Sequence, residues 1–99
     1  MLGTEDGLEF EWDEANVGHI ARHGVRPEEV EQVILNDPDD IGYEEANGEN
    51  RWSIIGHTKQ MRVLMVVFTM RGNRFRAVTS RRVSRRSAIR YLRVKGLYP

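Results

Sequence analysis

Eleven arginines and two lysines stand between Arg51 and Lys95, and no aspartate or glutamate follows Glu49. An arginine ends in a planar fork of donors that fits two phosphate oxygens, and it stays charged at physiological pH. A field of such residues with no carboxylate among them is the electrostatic footprint of a nucleic acid or other polyanion. Residues 1–50 are its counterpart, with 15 acids against Arg22 and Arg26, a net −13 opposite +13 in residues 51–99. The overall charge of zero therefore hides two opposed halves. Two readings follow. The acids neutralise the arginines inside one fold, or they line one side and leave an arginine surface open to a ligand. In a chain this short both halves lie within a few Debye lengths, each about 8–10 Å, so both readings can hold together.

Charge alone moves no protons, and arginine is a poor proton shuttle because its pKa lies above about 12. The carriers in the basic half are His57, Tyr91, Lys59 and Lys95, with Tyr98 in the tail. His57 is the only histidine there, and an ordinary imidazole pKa near ~6.5 suits acid–base work. Its simpler role is a structural or exposed residue at a strand end. The Tyr91 ring can pack on a sheet while its hydroxyl reaches a phosphate. Arg81 is the first candidate for a phosphate contact, since it closes a basic strand just before a helix cap. Its alternative role is an ion pair with an N-terminal acid. Arg76 shares the outward face of that strand. Arg85 and Arg86 fall in the first turn of the last helix, where each cation opposes the helix dipole by about 0.3–1 kcal/mol. Such a cost implies a compensating anion, from a ligand or from the chain itself. Arg90 and Arg93 read as a solvated helix face. His19 and His23 share a helix face at metal-ligand spacing, but no third ligand follows, so no metal and no cofactor is expected. Trp12 and Trp52 could stack on bases, and core packing is their simpler role.

The elements that must position these residues follow from periodicity and punctuation. Leu8 to Trp12 alternates as a short strand. Asp13 caps a helix running to about His23, with Gly24 beyond its end and Val17, Ile20 and Ala21 on its apolar face. Arg26-Pro27-Glu28-Glu29 opens a second helix with Val30, Val33 and Ile34 inward, and Asp37-Pro38 stops it. Residues 39–50 read as a loop or weak edge strand. Strands follow at Trp52–Thr58, Arg62–Met70 and Arg74–Ser80, with a hairpin turn at Arg71-Gly72-Asn73. Val63 to Phe68 is apolar on both faces, which makes its strand central. Ser84 caps a last helix to about Lys95, closed by Gly96. The predicted order is β-α-α-β-β-β-α, an α+β fold with an antiparallel meander sheet packed against helices.

A length of 99 residues fits one domain over residues 1–99 with a modest core. The chain has 39% hydrophobic and 30% charged residues and no cysteine, which removes disulfides and thiolate chemistry. Met1 to Glu11 is acidic and has no apolar stretch, so it does not read as a signal peptide. No apolar run is long enough to span a bilayer, and a cytoplasmic protein without membrane contact is expected.

Several strings in this order resemble the BrnT family of bacterial type II toxins. They are Phe10-Glu11-Trp12-Asp13, Arg22-His23-Gly24-Val25 followed by Glu28-Glu29-Val30, and Asp37-Pro38. Further on come Ile55-Gly56 with Thr58, Val66-Val67-Phe68-Thr69, and Arg81-Arg82-Val83-Ser84-Arg85-Arg86. The resemblance spans Phe10 to about Tyr91. It implies a RelE-like ribonuclease fold and an RNA-cleaving toxin that blocks translation. It also implies a BrnA-like antitoxin, and a complex that binds its promoter DNA mainly through that antitoxin. In self-cleavage of RNA the 2′-hydroxyl attacks the adjacent phosphate, which needs charge neutralisation and two proton transfers but no metal. The catalytic candidates are then Arg81, His57, Arg76 and Tyr91, with Arg82, Arg85 and Arg86 as RNA contacts. Two departures stand out. BrnT-like chains usually carry Glu where this chain has Ser87, and often Arg where it has His57. A Glu three residues after a helix cap also completes a capping box, so its loss has a structural reading too. The competing functions are a catalytically weak or inactive nucleic-acid- or antitoxin-binding module of the same fold, and a structural protein whose charged halves pair.

Overall fold

Asp13 starts the first helix in the computed structural model of the protein, which describes residues 9–99. Its carboxylate accepts from the N–H groups of Ala15 and Asn16 at 3.0 and 3.1 Å, and Asn16 Oδ1 accepts from Asp13 N–H at 2.8 Å. This reciprocal cap fixes α1, Glu14–Ala21, which buries Asn16 and Ile20. Ala21, expected inward, is exposed. Gly24 turns the chain at φ +72°, a left-handed conformation that favours glycine. Pro27 then opens α2, Pro27–Leu35, and Val30 and Val33 are fully buried.

Five strands form one sheet: β1 Glu9–Phe10, β2 Asp39–Ala46, β3 Glu49–His57, β4 Val63–Arg71 and β5 Arg74–Arg82. Their order is β1-β5-β4-β3-β2. The meander from β2 to β5 is antiparallel as expected, and β4 is interior. Two features differ from the sequence expectation. Residues 39–46 form a full edge strand, paired with β3 through seven residue pairs from Asp39–Ile55 to Ala46–Glu49, so the order has one more strand. The short first strand joins β5 in parallel, which makes the sheet mixed. Only Glu9 and Phe10 of the expected Leu8–Trp12 strand pair, and Leu8 lies outside the described residues.

Side chains alternate across a strand, and register sorts the sheet into two faces. Ile54, Leu64 and Val66 meet Ile20, Val25, Val30 and Val33 in the core beneath the helices. Gly56 belongs to this face. A Cβ there would stand 2.8 Å from Val33 Cγ1, so glycine is what lets α2 lie against β3. The opposite face carries Ile55, Met65 and Arg81 in one cross-strand row, with His57 and Val63 in the next. β5 ends at Arg82, paired with Leu64, and Val83 and Ser84 link it to α3, Arg85–Val94.

Candidate nucleic-acid interface

The arginines of the basic half separate into two groups. Arg71, Arg74 and Arg76 gather where β1 meets β5. Arg74 pairs with Glu9 at 3.2 Å, Arg71 with Glu11 at 3.0 Å, and Arg76 with Glu11 at 3.1 Å and Asp13 at 2.8 Å. The Arg76 guanidinium, hydrogen-bonded to Asp13, holds that carboxyl below its ordinary value, and the same bond raises Arg76. Arg51 is taken by Glu49. Arg62 bridges to buried Glu29 and to the Gly24 carbonyl. Burial pushes the Glu29 carboxyl up, but the Arg26 N–H and the Arg62 guanidinium outweigh it and leave it below its ordinary value.

Arg81, Arg82, Arg85, Arg86, Arg90 and Arg93 have no carboxylate partner among the described residues. They lie at the other end of β5 and along α3. Strand alternation separates Arg81 from Arg82. Arg81, itself exposed, shares a cross-strand row with Met65 and Ile55. Arg82 and Arg85 line a cleft of about 420 Å³ with Arg62, Met61, Val63 and Ala88. Arg85 also reaches a second hollow along α3, where it joins Arg86, Arg90 and Arg93 around Ile89 and Val94. Arg93 also stacks over the Tyr98 ring at 5.3 Å.

Arg76 is therefore set apart from the other candidates. It lies five residues from Arg81 along β5, roughly 16 Å at ~3.3 Å per residue. His57 and Arg81 share a face, two strands and two residues apart, which puts their Cα atoms roughly 12 Å apart. An extended arginine and a phosphodiester can span that gap.

His57 closes β3 and is bonded through both ring nitrogens. Nε2 lies 2.9 Å from Asn36 Nδ2, and Nδ1 lies 2.9 Å from the Tyr91 hydroxyl. Tyr91 is 5% exposed. Burial pushes its hydroxyl pKa up, against the pull of Lys95, so it stays a neutral donor near neutrality. Lys95 Nζ stands 5.6 Å from the centre of that ring, bonded to Asp39 at 2.8 Å and to the Asp37 carbonyl at 3.0 Å. Its hydrogen bond to Asp39 raises its pKa. These contacts anchor α3 to the end of β3 and to the turn after α2.

Three further sets of side chains are placed by the structure. Ser84 caps α3, with its Oγ 3.2 Å from Ser87 N–H and 3.1 Å from Ser87 Oγ, and Ser87 supplies no carboxylate to complete a box. His19 Nε2 is held 3.2 Å from Thr79 Oγ1, and the described residues contain no group of three or more acidic, histidine or cysteine side chains able to hold a metal ion. Trp12 packs against the core and donates to Glu31 at 2.8 Å, whereas Trp52 lies between the Tyr43 and Phe68 rings. The residue that sequence reasoning missed is Asn36. Its position before Asp37-Pro38 reads only as a helix stop, and nothing local marks it as a partner of a residue 21 positions away.

An α+β domain with an unpaired arginine field beside a histidine–tyrosine pair is suited to grip a phosphodiester and move a proton near it. The profile of the family described as "Ribonuclease toxin, BrnT, of type II toxin-antitoxin system" matches residues 12–87, and the chain belongs to that family of ribonuclease toxins. The crystal structure of the ribonuclease toxin BrnT from Brucella abortus is similar in fold. It has a TM-score of 0.60 and 21% identity, over 79% of this chain and 99% of that one. No curated protein matches. No helix of the described residues is long and apolar enough to cross a membrane.

Proposed function

We propose that the protein cleaves RNA at the end of the sheet that carries Arg81, His57 and Tyr91, with no resident metal ion, and thereby blocks translation in the cytoplasm. One observation supports this reading: along a single strand the arginines near β1 are paired with carboxylates, while Arg81 and Arg82 have no carboxylate partner among the described residues. A RelE-like fold, a BrnA-like antitoxin and promoter binding by the complex rest on the family resemblance.

The chemistry balances with the groups present. The 2′-oxygen attacks phosphorus, the O2′–P bond forms and the P–O5′ bond breaks. A 2′,3′-cyclic phosphate and a 5′-hydroxyl result. Arg81 neutralises the non-bridging oxygens, a contribution of roughly 10²–10³ in rate for one well-placed donor. Tyr91 gives its proton to O5′, and the phenolate left behind accepts from His57 Nδ1–H beside Lys95. The 2′ proton goes to solvent, which also restores Tyr91. Since Tyr91 is buried, this step requires α3 to shift when RNA binds, whereas Arg81 needs no movement. Arg82, Arg85 and Arg86 hold neighbouring phosphates.

A second reading, an RNA- or antitoxin-binding family member without cleavage, is favoured by the closed state of His57 and by Ser87. Purified protein incubated with labelled RNA, alone and with translating ribosomes, decides between the two. Cyclic-phosphate ends in either reaction support cleavage. Binding without new ends supports the second reading.

A further inference from the structure

We infer that Asn36 is a positioning residue that locks His57 in the tautomer protonated at Nδ1, so that the Tyr91 hydroxyl keeps the proton the site can give away. Its effect on cleavage rests on the ribonuclease reading above, but the tautomer itself does not.

An amide nitrogen only donates, so Asn36 Nδ2 at 2.9 Å requires a lone pair on His57 Nε2. The amide orientation is fixed by a second acceptor, because the His57 carbonyl oxygen lies 3.5 Å from the same nitrogen. With the amide reversed, Asn36 Oδ1 would face that oxygen and the hydrogen bond to it would be lost. A neutral imidazole with a lone pair on Nε2 carries its proton on Nδ1. Nδ1 therefore donates to the Tyr91 oxygen at 2.9 Å, and the tyrosine proton is left for another acceptor. Were Nε2 the protonated nitrogen, Nδ1 would accept from Tyr91 and capture the proton instead.

Local structure explains how Asn36 comes to stand there. It is the C-cap of α2, at φ −116° and ψ 51°. Val33 from the last turn of α2 rests on Gly56, and the following residue of β3 is His57. Glycine at 56 thus brings the helix end close enough for Asn36 to reach the ring. Asn36 is exposed and outside the core, so substitution there removes no core contact.

The test is the protonation of the two His57 ring nitrogens, read by ¹⁵N NMR near neutral pH in the parent and in Asn36→Asp. A carboxylate accepts where the amide donated. The parent should show a lone pair on Nε2 and a proton on Nδ1, and Asn36→Asp should show a protonated Nε2. A protonated Nε2 in the parent, or the same tautomer in both proteins, overturns the inference. RNA cleavage adds a second arm. Asn36→Asp should lower kcat about tenfold or more, less than full loss of an acid–base group at ~10²–10⁴, with KM unchanged. Unaltered kcat despite a changed tautomer would refute the positioning role. If the parent cleaves no RNA at all, the ribonuclease reading fails, while the NMR comparison still decides what Asn36 does.

Discussion

The two ends of β5 carry the same kind of residue to different fates. At its start, Arg74 and Arg76 are held by Glu9, Glu11 and Asp13, all from the chain's acidic first half. At its finish, Arg81 and Arg82 meet no carboxylate among the described residues, and the helix that follows adds four more arginines in the same condition. The difference lies in what each end packs beside. The parallel pairing of β1 delivers acids to one end and cannot reach the other. Among the described residues, the acids and bases segregated in the sequence thus recombine only in part, and the remaining arginines are the surface we assign to RNA.

The sharpest way to break this contrast is to remove the proton carrier at the unpaired end. Tyr91→Phe keeps the ring and loses the hydroxyl. Cleavage under single-turnover conditions should fall about 10²–10⁴-fold, while Tyr98→Phe in the tail should behave as the parent does. Equal rates for the parent and Tyr91→Phe would remove Tyr91 from the mechanism. Next comes the arginine comparison itself. Arg81→Ala should lose roughly 10²–10³ in rate with its melting temperature unchanged. Arg76→Ala should show the reverse, a lower melting temperature with cleavage retained in the folded fraction. Similar kinetic losses in both would mean that ion pairing does not separate the two ends.

A smaller effect concerns Arg62, which stands between the two fates: it lines the cleft with Arg82 and Arg85 but is tied to Glu29. Arg62→Ala leaves Glu29, 2% exposed, with Arg26 as its one remaining cation among the described residues. The expected loss is about 2–3 kcal/mol, below the ~3–5 for breaking a fully buried pair, because Arg26 remains. The pH dependence follows from the depressed Glu29 carboxyl. Its stabilisation is fully present above the ordinary value of 4.5 and is lost as pH falls through the lower, folded value. Urea unfolding should therefore show a parent–variant gap that is full at pH 7 and narrows in acid below 4.5. A gap independent of pH would assign the loss to packing instead.

Much of the frame was legible in the sequence because it rests on local chemistry. Asp13, Pro27 and Ser84 start helices where their side chains predict, and the Val63–Phe68 run forms the interior strand. Residues 39–46 were ambiguous because an exposed edge strand has no buried face to impose alternation, and Asp39 to Ala46 owes its structure to pairing with β3. The site was legible only in part. Arg81, His57 and Tyr91 could be named by type, and His57 and Tyr91 do meet. Arg76 looked equivalent to Arg81 because both are arginines on one basic strand. What distinguishes them is the parallel return of Glu9–Phe10, a non-local pairing with no signature in the strand itself. Asn36 was hidden for the same reason, since its role depends on Gly56 letting a helix end reach β3.

The most direct test of the central claim is the salt dependence of binding to a single-stranded RNA that resists cleavage through 2′-O-methylation. If four or five phosphates are held, log K should fall against log salt with a slope of about −3, near −0.7 per phosphate. The double variant Arg81→Ala/Arg82→Ala should flatten that slope by about 1.4, whereas Arg74→Ala/Arg76→Ala should leave it unchanged. A slope that flattens equally in both double variants, or only in the second, would contradict the assignment of RNA to the unpaired end.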